Sequence, residues 1–235
     1  MTTQLPRFSV PRAPAWDRTA DPATWDWSGV PALPPFILAD GSGPARQQTQ
    51  ARLCGDHEAL YVRFDCEDRD IWGHYTRRDD PIYDEEVVEV FLAPGLADPV
   101  DYYEFEVSPN GVLLDVRIHN PRGDRTAMEA DFSWDCPGLR WQAGRNDPQN
   151  HWWAILVIPW AAVSPPGESP RFWRANFYRI ERPHDGPPEF SCWSPTLTAP
   201  ADFHRPARFG VLEMEGIVFK SRLFGPPSLS AGELV

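Results

Sequence analysis

The sequence has little of what marks a membrane, zinc or redox protein. No apolar run approaches the 18 residues of a membrane-spanning helix, and the four cysteines form neither a CxxC pair nor a zinc-ligand spacing. We therefore expect no membrane insertion, no thiolate metal centre and four free, buried thiols. Basic residues are also scarce, with 22 against 34 acidic ones and a net charge of −12, which argues against nucleic acid as a partner.

An export signal is not visible at the start of the chain. Residues 1–16 contain basic residues but lack the apolar stretch of a secretory signal peptide. The sequence as given therefore favours a cytoplasmic location, while a secreted one stays open. Oligomeric state is not indicated by any pattern in the chain.

Long helices are excluded by the 27 prolines, since a proline inside a helix costs about 3 kcal/mol. Alternating apolar residues instead predict short strands. The predicted strands are Leu60–Cys66, Val87–Leu92, Tyr102–Val107, Val112–Ile118, Phe172–Glu181 and Phe209–Met214, together with the doubly apolar His151–Ile158. The SPNG sequence at Ser108–Gly111 predicts a hairpin turn, and PWAAV after Ile158 predicts one short helical turn.

These patterns predict an all-β fold, an antiparallel β-sandwich with immunoglobulin-like or jelly-roll-like layers and few helical turns. We expect one domain over residues 1–235. Its first 45 residues form a wrapping segment with at most one short strand near Phe36–Ala39, and residues 216–235 form a C-terminal extension.

Polar residues alternate with the apolar ones and are predicted to gather on one sheet face. They are Tyr61, Arg63, Asp65, Glu89, Glu104, Glu106, Asp115, Arg117 and Asn176. Such a face is either solvated, with ion pairs across strands, or binds sugars by hydrogen bonds if aromatic rings flank it. The candidate rings are Trp72, Tyr75, Tyr83 and Trp193.

Several linked motifs resemble the family 9 carbohydrate-binding modules. The segments are RRDDPIYDEEVVEVFLAP (77–94), LYVRFDCED (60–68), YYEFEVSPNG (102–111), IPW (158–160), WRANFYRIE (173–181), WSPT (193–196) and FHRPARFGVLE (203–213). The resemblance covers most of the chain in the family's order. It implies a β-sandwich in which two aromatic rings clamp a terminal sugar, with structural calcium in some members.

Site residues follow from this resemblance position by position. Tyr83 and Trp193 resemble the two aromatic walls, Glu89 the strand glutamate that bonds sugar hydroxyls, and Asn176 the amide that does the same. Glu104 and Arg179 are further candidates for hydroxyl contacts, although an arginine on an apolar strand face more often forms a buried ion pair. Trp72 and His204 complete the predicted set, and His204 either caps the pocket or packs beneath it.

The chain also departs from the family's xylanase-appended members, which carry a basic residue on the strand after the one that carries Glu89. Here that strand has Glu104, within YYEFEVS. A carboxylate accepts hydrogen bonds where an arginine donates them, so the sugar is not indicated by the resemblance.

Three alternatives remain open at the level of sequence. Paired carboxylates, Glu89 with Glu104 or Glu104 with Glu106, would suit a glycoside hydrolase if they lie about 5–10 Å apart. Met128 or Met214 with a histidine would suit a haem site. Calcium would suit one of two acidic clusters, which are Glu67, Asp68, Asp70 and Asp79, Asp80, Asp84.

Overall fold

Two β-sheets pack face to face in the computed structural model, which describes residues 4–219. The strands are β1 (Arg7–Val10), β2 (Ile37–Leu38), β3 (Thr49–Gly55), β4 (Ala59–Glu67), β5 (Val87–Pro94), β6 (Asp101–Val107), β7 (Leu113–His119), β8 (Glu129–Asp131), β9 (Arg140–Asn146), β10 (His151–Pro159), β11 (Phe172–Glu181), β12 (Glu189–Cys192) and β13 (Gly210–Met214). One helical turn, α1 (Trp160–Val163), follows β10 as predicted. None of the helices within residues 4–219 has the length and apolar character that crossing a membrane requires.

The larger sheet has the strand order β1-β13-β11-β5-β6-β7-β8, with β12 pairing both β11 and β2. The smaller sheet has the order β3-β4-β10-β9. Apart from the parallel pair of β1 and β13, neighbouring strands are antiparallel. The predicted β-sandwich is confirmed.

The main core lies between the sheets, and the apolar face that the sequence predicts for β5 points into it. Val88, Val90 and Leu92 pack there with Phe64 of β4 and Leu156 of β10. Burial of these side chains is the main term that stabilises the sandwich, at about 1.5–3 kcal/mol for each large apolar residue.

A tryptophan-rich segment before β2 covers the outer face of the smaller sheet. Trp16 and Trp25 stack at 4.8 Å between ring centroids, and both rings meet Tyr61 of β4 edge-on. The Arg18 guanidinium lies 4.8 Å from the Tyr61 ring centroid and 2.9 Å from the Asp56 carboxylate. This cover explains why β10 is apolar on both faces.

The expectation of at most one strand in residues 1–45 is wrong, because β1 forms there as well as β2. β1 has only four residues, and its pattern of exposure is irregular. Its strand form depends on β13, whose edge it pairs with in parallel from Arg7↔Val211 to Val10↔Met214. Such a non-local partner leaves no periodic signal in the sequence. Of the predicted C-terminal extension, residues 220–235 lie outside the described residues.

The hairpin of β6 and β7 forms as predicted. The Ser108 backbone N–H donates to the Val112 carbonyl at 3.0 Å, and Gly111 takes a φ of +79°, which a residue without Cβ adopts freely. The four cysteines are free and buried, also as predicted.

The predicted polar face is divided between both sheets, which corrects the sequence expectation. Tyr61, Arg63 and Asp65 lie on β4 of the smaller sheet, whereas Glu89 and Glu106 lie on the larger one. β7 is also turned over relative to the prediction. Its Leu114, Val116 and Ile118 belong to a second apolar cluster on the outer face of the larger sheet. The prediction fails because that outer face is itself covered, so apolar residues occur on both sides of β7.

Candidate functional site

Three buried glutamates lie together on the outer face of the larger sheet. Glu89 of β5 is paired directly with Glu106 of β6, and Glu104 lies two residues from Glu106 on the same face. All three are at least 94% buried, with exposures of 2%, 1% and 6% for Glu89, Glu106 and Glu104. One carboxyl oxygen from each lies within 4.8 Å of the other two. We call these three residues the glutamate triad.

The triad forms part of the lining of a pocket of about 380 Å³. Apolar residues of β7, including Val116, contribute to the same lining. Aromatic residues around it include Tyr83, just before β5, and Phe132, just after β8, whose side chains are 38% and 47% exposed. A pocket with exposed rings and buried carboxyls offers both stacking surfaces and hydrogen-bonding groups.

Burial sets the charge of the triad. It raises the pKa of Glu104 to about 7, partly offset by a hydrogen bond from Glu106 and by the nearby positive charge of Arg125. Burial, reinforced by the neighbouring glutamates, raises the pKa of Glu89 and of Glu106 well above the usual range. Near neutral pH the triad therefore holds protons, so its members donate as well as accept hydrogen bonds.

His204 lies at the pocket, where the sequence placed it without deciding its orientation. It is 6% exposed, its Nδ1 lies 2.8 Å from the Tyr102 hydroxyl, and its Nε2 lies 3.9 Å from a Glu104 oxygen. Burial lowers the pKa of His204 to about 3, so its ring is neutral at neutral pH. The residue both lines the pocket and packs against its floor.

Trp193 does not reach the pocket, which corrects its predicted role as an aromatic wall. The ring is 5% exposed and belongs to the core between the sheets, 5.9 Å from the Phe177 ring. Gly210 allows this position, because a Cβ there would lie 2.4 Å from the indole. The aromatic pair Tyr83 and Trp193 therefore cannot clamp one sugar in this structure.

Asn176 is likewise occupied. Its amide oxygen accepts from the backbone N–H groups of Phe177 and Ser194, and its amide nitrogen donates to the Ser194 carbonyl at 2.7 Å. The side chain is fully buried. These hydrogen bonds connect the loop after β12 to β11, so the Asn176 side chain is not free to bind a ligand.

Arg179 forms the buried ion pair that its position on the strand suggested. Its guanidinium lies 2.9 Å from Asp68 and 3.6 Å from Glu86, and it donates to the Glu67 carbonyl at 2.6 Å. The residue is 1% exposed and is absent from the pocket lining. The structure therefore corrects the expectation that Arg179 contacts sugar hydroxyls.

Trp72 lies beside the pocket wall without lining it. Its indole N–H donates to the Arg182 carbonyl at 2.6 Å, and its ring packs against His74 and His184. Arg182 does line the pocket and stacks over Phe190, 5.5 Å from the ring centroid. Trp72 therefore supports the wall and does not contact a ligand in this structure.

The sequence reasoning missed several pocket residues, among them Phe132, Phe190, Arg125 and Arg182. Phe132 had one usable signal, a lone aromatic among the polar residues of EADFSWD. The other three come from loops and short strands whose position depends on distant contacts, such as the 2.9 Å ion pair of Arg125 with Asp202.

Neither predicted calcium cluster assembles within residues 4–219. Asp68 pairs with Arg179, Asp70 with His184, and Asp80 with the backbone N–H of Arg77. The carboxyl groups that do converge are the glutamate triad and a second set, Asp79, Asp115 and Asp135. The second set is already paired with an arginine, because the Arg78 guanidinium lies 2.6 Å from Asp115 and 2.9 Å from Asp135.

The residues of the haem alternative are dispersed. Met214 is buried in the core between the sheets, away from the pocket. Met128 and His204 both lie against the Tyr102 hydroxyl, at 3.9 and 2.8 Å. Both groups therefore contact a protein hydroxyl.

A larger groove of about 710 Å³ adjoins the pocket, shares Ile118 and Ala130 with it, and runs along β6, β7 and the residues after α1. Its charged residues are paired with one another, as in Arg117 with Asp131 and His119 with Asp101. The smaller pocket is the better candidate site because its buried carboxyl groups lack such partners.

A β-sandwich with an aromatic-lined, carboxyl-floored pocket on one sheet has the architecture of a carbohydrate-binding module. The family model described as carbohydrate-binding family 9 matches residues 43–214. The chain therefore belongs to carbohydrate-binding family 9, a class that binds carbohydrate without catalysis.

The chain is also similar to three other proteins. The chain is similar to an "Extracellular protein" of Arthroderma benhamiae, with 31% identity over 139 residues. The aligned region covers 56% of this chain and 63% of that relative. It resembles the crystal structure of a candidate carbohydrate-binding protein from Bacteroides uniformis, with 20% identity, a TM-score of 0.71, and 90% of this chain and all of that one covered. A family 9 module from Caldicellulosiruptor kristjanssonii, in complex with cellotriose, aligns with 15% identity, a TM-score of 0.56, and 94% and 98% coverage. These two structural likenesses support the fold.

Proposed function

We propose that this chain binds a monosaccharide, or the terminal sugar of an oligosaccharide, in the pocket of the glutamate triad. The observation that carries the proposal is the convergence of exposed rings with buried carboxyl groups that have no basic partner closer than the 3.9 Å of His204, among the described residues. Tyr83 and Phe132 supply the ring faces on which sugar C–H groups stack. Glu89, Glu104 and Glu106 bond the hydroxyls.

The size of the pocket supports a short ligand. About 380 Å³ lies near the lower end of the range for small-molecule sites, which suits one or two sugar rings. Arg125 and Arg182 at the rim supply donors that the triad lacks. Glucose and cellotriose, which are bound in structures of the Caldicellulosiruptor module, are the first ligands to test.

The test is isothermal titration of these sugars and of xylose-based and amino-sugar oligomers into wild type, Tyr83→Ala and Tyr83→Phe. Loss of stacking in Tyr83→Ala is expected to weaken binding about tenfold, and Tyr83→Phe retains the ring and most of the affinity. Phe172→Ala is the matched control, because this half-buried aromatic lies at the far end of β11 and outside the pocket lining.

Two outcomes would overturn the proposal. One is the absence of any titration with the whole sugar panel while the protein is folded by circular dichroism. The other is steady release of reducing ends from a bound oligosaccharide, abolished in Glu104→Gln. That result would establish a glycoside hydrolase that uses the paired carboxyls.

A further inference from the structure

The glutamate triad has the spacing of a ligand set for a single cation. Calcium binds carboxylate oxygens at about 2.3–2.6 Å, so oxygens of one coordination shell lie at most about 5 Å apart. One oxygen each from Glu89, Glu104 and Glu106 meets this limit, at no more than 4.8 Å from the other two. Adjacent antiparallel strands fix the geometry, since Glu89 and Glu106 are a directly opposed pair.

The triad differs from the other buried acidic clusters of the described chain in lacking its own arginine. Arg78 lies 2.6 Å from Asp115, and Arg179 lies 2.9 Å from Asp68. Within residues 4–219 no basic nitrogen lies within 4.0 Å of Glu89 or Glu106, and the nearest to Glu104 is His204 Nε2 at 3.9 Å. Burying several carboxylates together is costly unless protons or a cation neutralise them, and among the described residues no arginine does so here.

An orphaned oxygen supports this view independently of the spacing. Glu106 is 99% buried, and its Oε2 has no hydrogen-bond partner outside the triad. Buried carboxyl oxygens nearly always have a partner, and an exception needs an explanation such as an ion. Because Glu106 lines the pocket, a group placed there would satisfy that oxygen.

We propose that Glu89, Glu104 and Glu106 bind a Ca²⁺ ion in the pocket and that hydroxyls of the bound sugar complete its coordination. The ion displaces the protons that the triad otherwise holds. The three carboxylates then supply only part of the six to eight oxygens that Ca²⁺ takes, and the pocket leaves its open side to water or to a pair of neighbouring sugar hydroxyls. The second half of this inference rests on the proposed function, whereas the ion site stands without it.

The first experiment titrates Ca²⁺ into chelator-treated wild type, Glu106→Gln and Asp135→Asn, without sugar. Wild type is expected to bind one ion, and Glu106→Gln to bind it more than about tenfold more weakly. Asp135→Asn removes a carboxylate from the Arg78 cluster and is expected to leave affinity unchanged. Glu89→Gln is a second variant should Glu106→Gln fail to fold, which its thermal melt shows.

The second experiment titrates the sugar that binds best with Ca²⁺ present and with the chelator present. Tighter sugar binding with Ca²⁺ in wild type, and no such gain in Glu106→Gln, supports the proposal. Sugar binding of equal strength in both conditions, with no Ca²⁺ uptake, overturns the ion site and leaves the proposed function intact. Ca²⁺ uptake without any sugar binding establishes the ion site and overturns the proposed function. Ca²⁺ uptake that Glu106→Gln does not weaken places the ion elsewhere and overturns the proposal.

Discussion

At the scale of single residues, the buried group around Arg179 shows how the fold handles charge. One arginine faces two carboxyls, with Asp68 at 2.9 Å and Glu86 at 3.6 Å, and all three are at most 1% exposed. Neutrality requires one of the two acids to hold a proton. Burial, together with a hydrogen bond to Asp68, raises the pKa of Glu86 to about 9, so Glu86 is that acid.

We expect Glu86→Gln to change how stability depends on pH. The folded chain keeps the Glu86 proton up to a pKa of about 9, whereas the unfolded chain loses it near the ordinary 4.5. The folded state therefore binds more protons between these values, and the free energy of unfolding falls as pH rises. Glutamine mimics the protonated acid, donating to Asp68 and accepting from the Arg182 N–H.

The measurement is urea denaturation of wild type and Glu86→Gln at pH 5, 7 and 9. The stability advantage of the variant is expected to grow with pH, and parallel curves for the two proteins would refute the assignment. Glu168→Gln, a change at an exposed glutamate, is expected to follow wild type throughout.

At the scale of elements, two glycines on strands show how the strands accommodate tryptophan rings. On β13, a Cβ at Gly210 would lie 2.4 Å from the Trp193 ring and 3.0 Å from the Pro6 carbonyl oxygen. On β9, a Cβ at Gly144 would lie 2.5 Å from the Trp153 ring. The contacts are alike, but Trp193 is buried in the core while Trp153 is only partly buried.

Gly210→Ala is therefore expected to be much more destabilising than Gly144→Ala. The core cannot shift the Trp193 ring without strain, so we expect a loss of about 1–3 kcal/mol, whereas Trp153 can turn towards solvent at a cost below about 1 kcal/mol. Chemical denaturation of both variants measures the difference. Equal losses would mean that the Trp193 ring is free to move, contrary to its placement in the core.

The strands also show where sequence reasoning succeeds. β11 matches its predicted bounds of Phe172–Glu181, and the β6–β7 hairpin is centred on its predicted turn, because alternation and turn chemistry are local. Which face of a strand meets which partner is not local. For β7 the alternation was correct and the assigned direction was wrong, since both of its faces carry buried residues.

At the scale of the whole molecule, the chain has three apolar layers. The main core lies between the sheets, the second cluster lies beneath the pocket, and the third lies under the N-terminal tryptophans on the opposite outer face. The pocket and the N-terminal cover are thus separated by the full thickness of the sandwich. The single-domain organisation and the cellular location stay predictions.

This separation predicts that Trp25→Ala lowers stability without altering the pocket. Trp25 is 7% exposed and stacks on Trp16, so its truncation is expected to cost about 3–5 kcal/mol. Sugar affinity measured well below the melting temperature is expected to equal that of wild type. A parallel loss of affinity would show that the two outer faces are coupled, and Leu96→Ala, at a side chain 49% exposed, serves as the neutral control.

The sequence by itself determined the sandwich, most strand bounds, the free thiols and the resemblance to family 9. Of the predicted ligand-binding residues, four line the pocket, namely Tyr83, Glu89, Glu104 and His204. These features depend on local periodicity, turn chemistry and linear motifs, which the sequence displays directly. Only the tertiary structure decided that Trp193 and Asn176 are buried and that Phe132 and Arg125 reach the pocket. The reason is that burial and convergence depend on the contacts between distant segments, such as Gly210 against Trp193, which no local pattern contains.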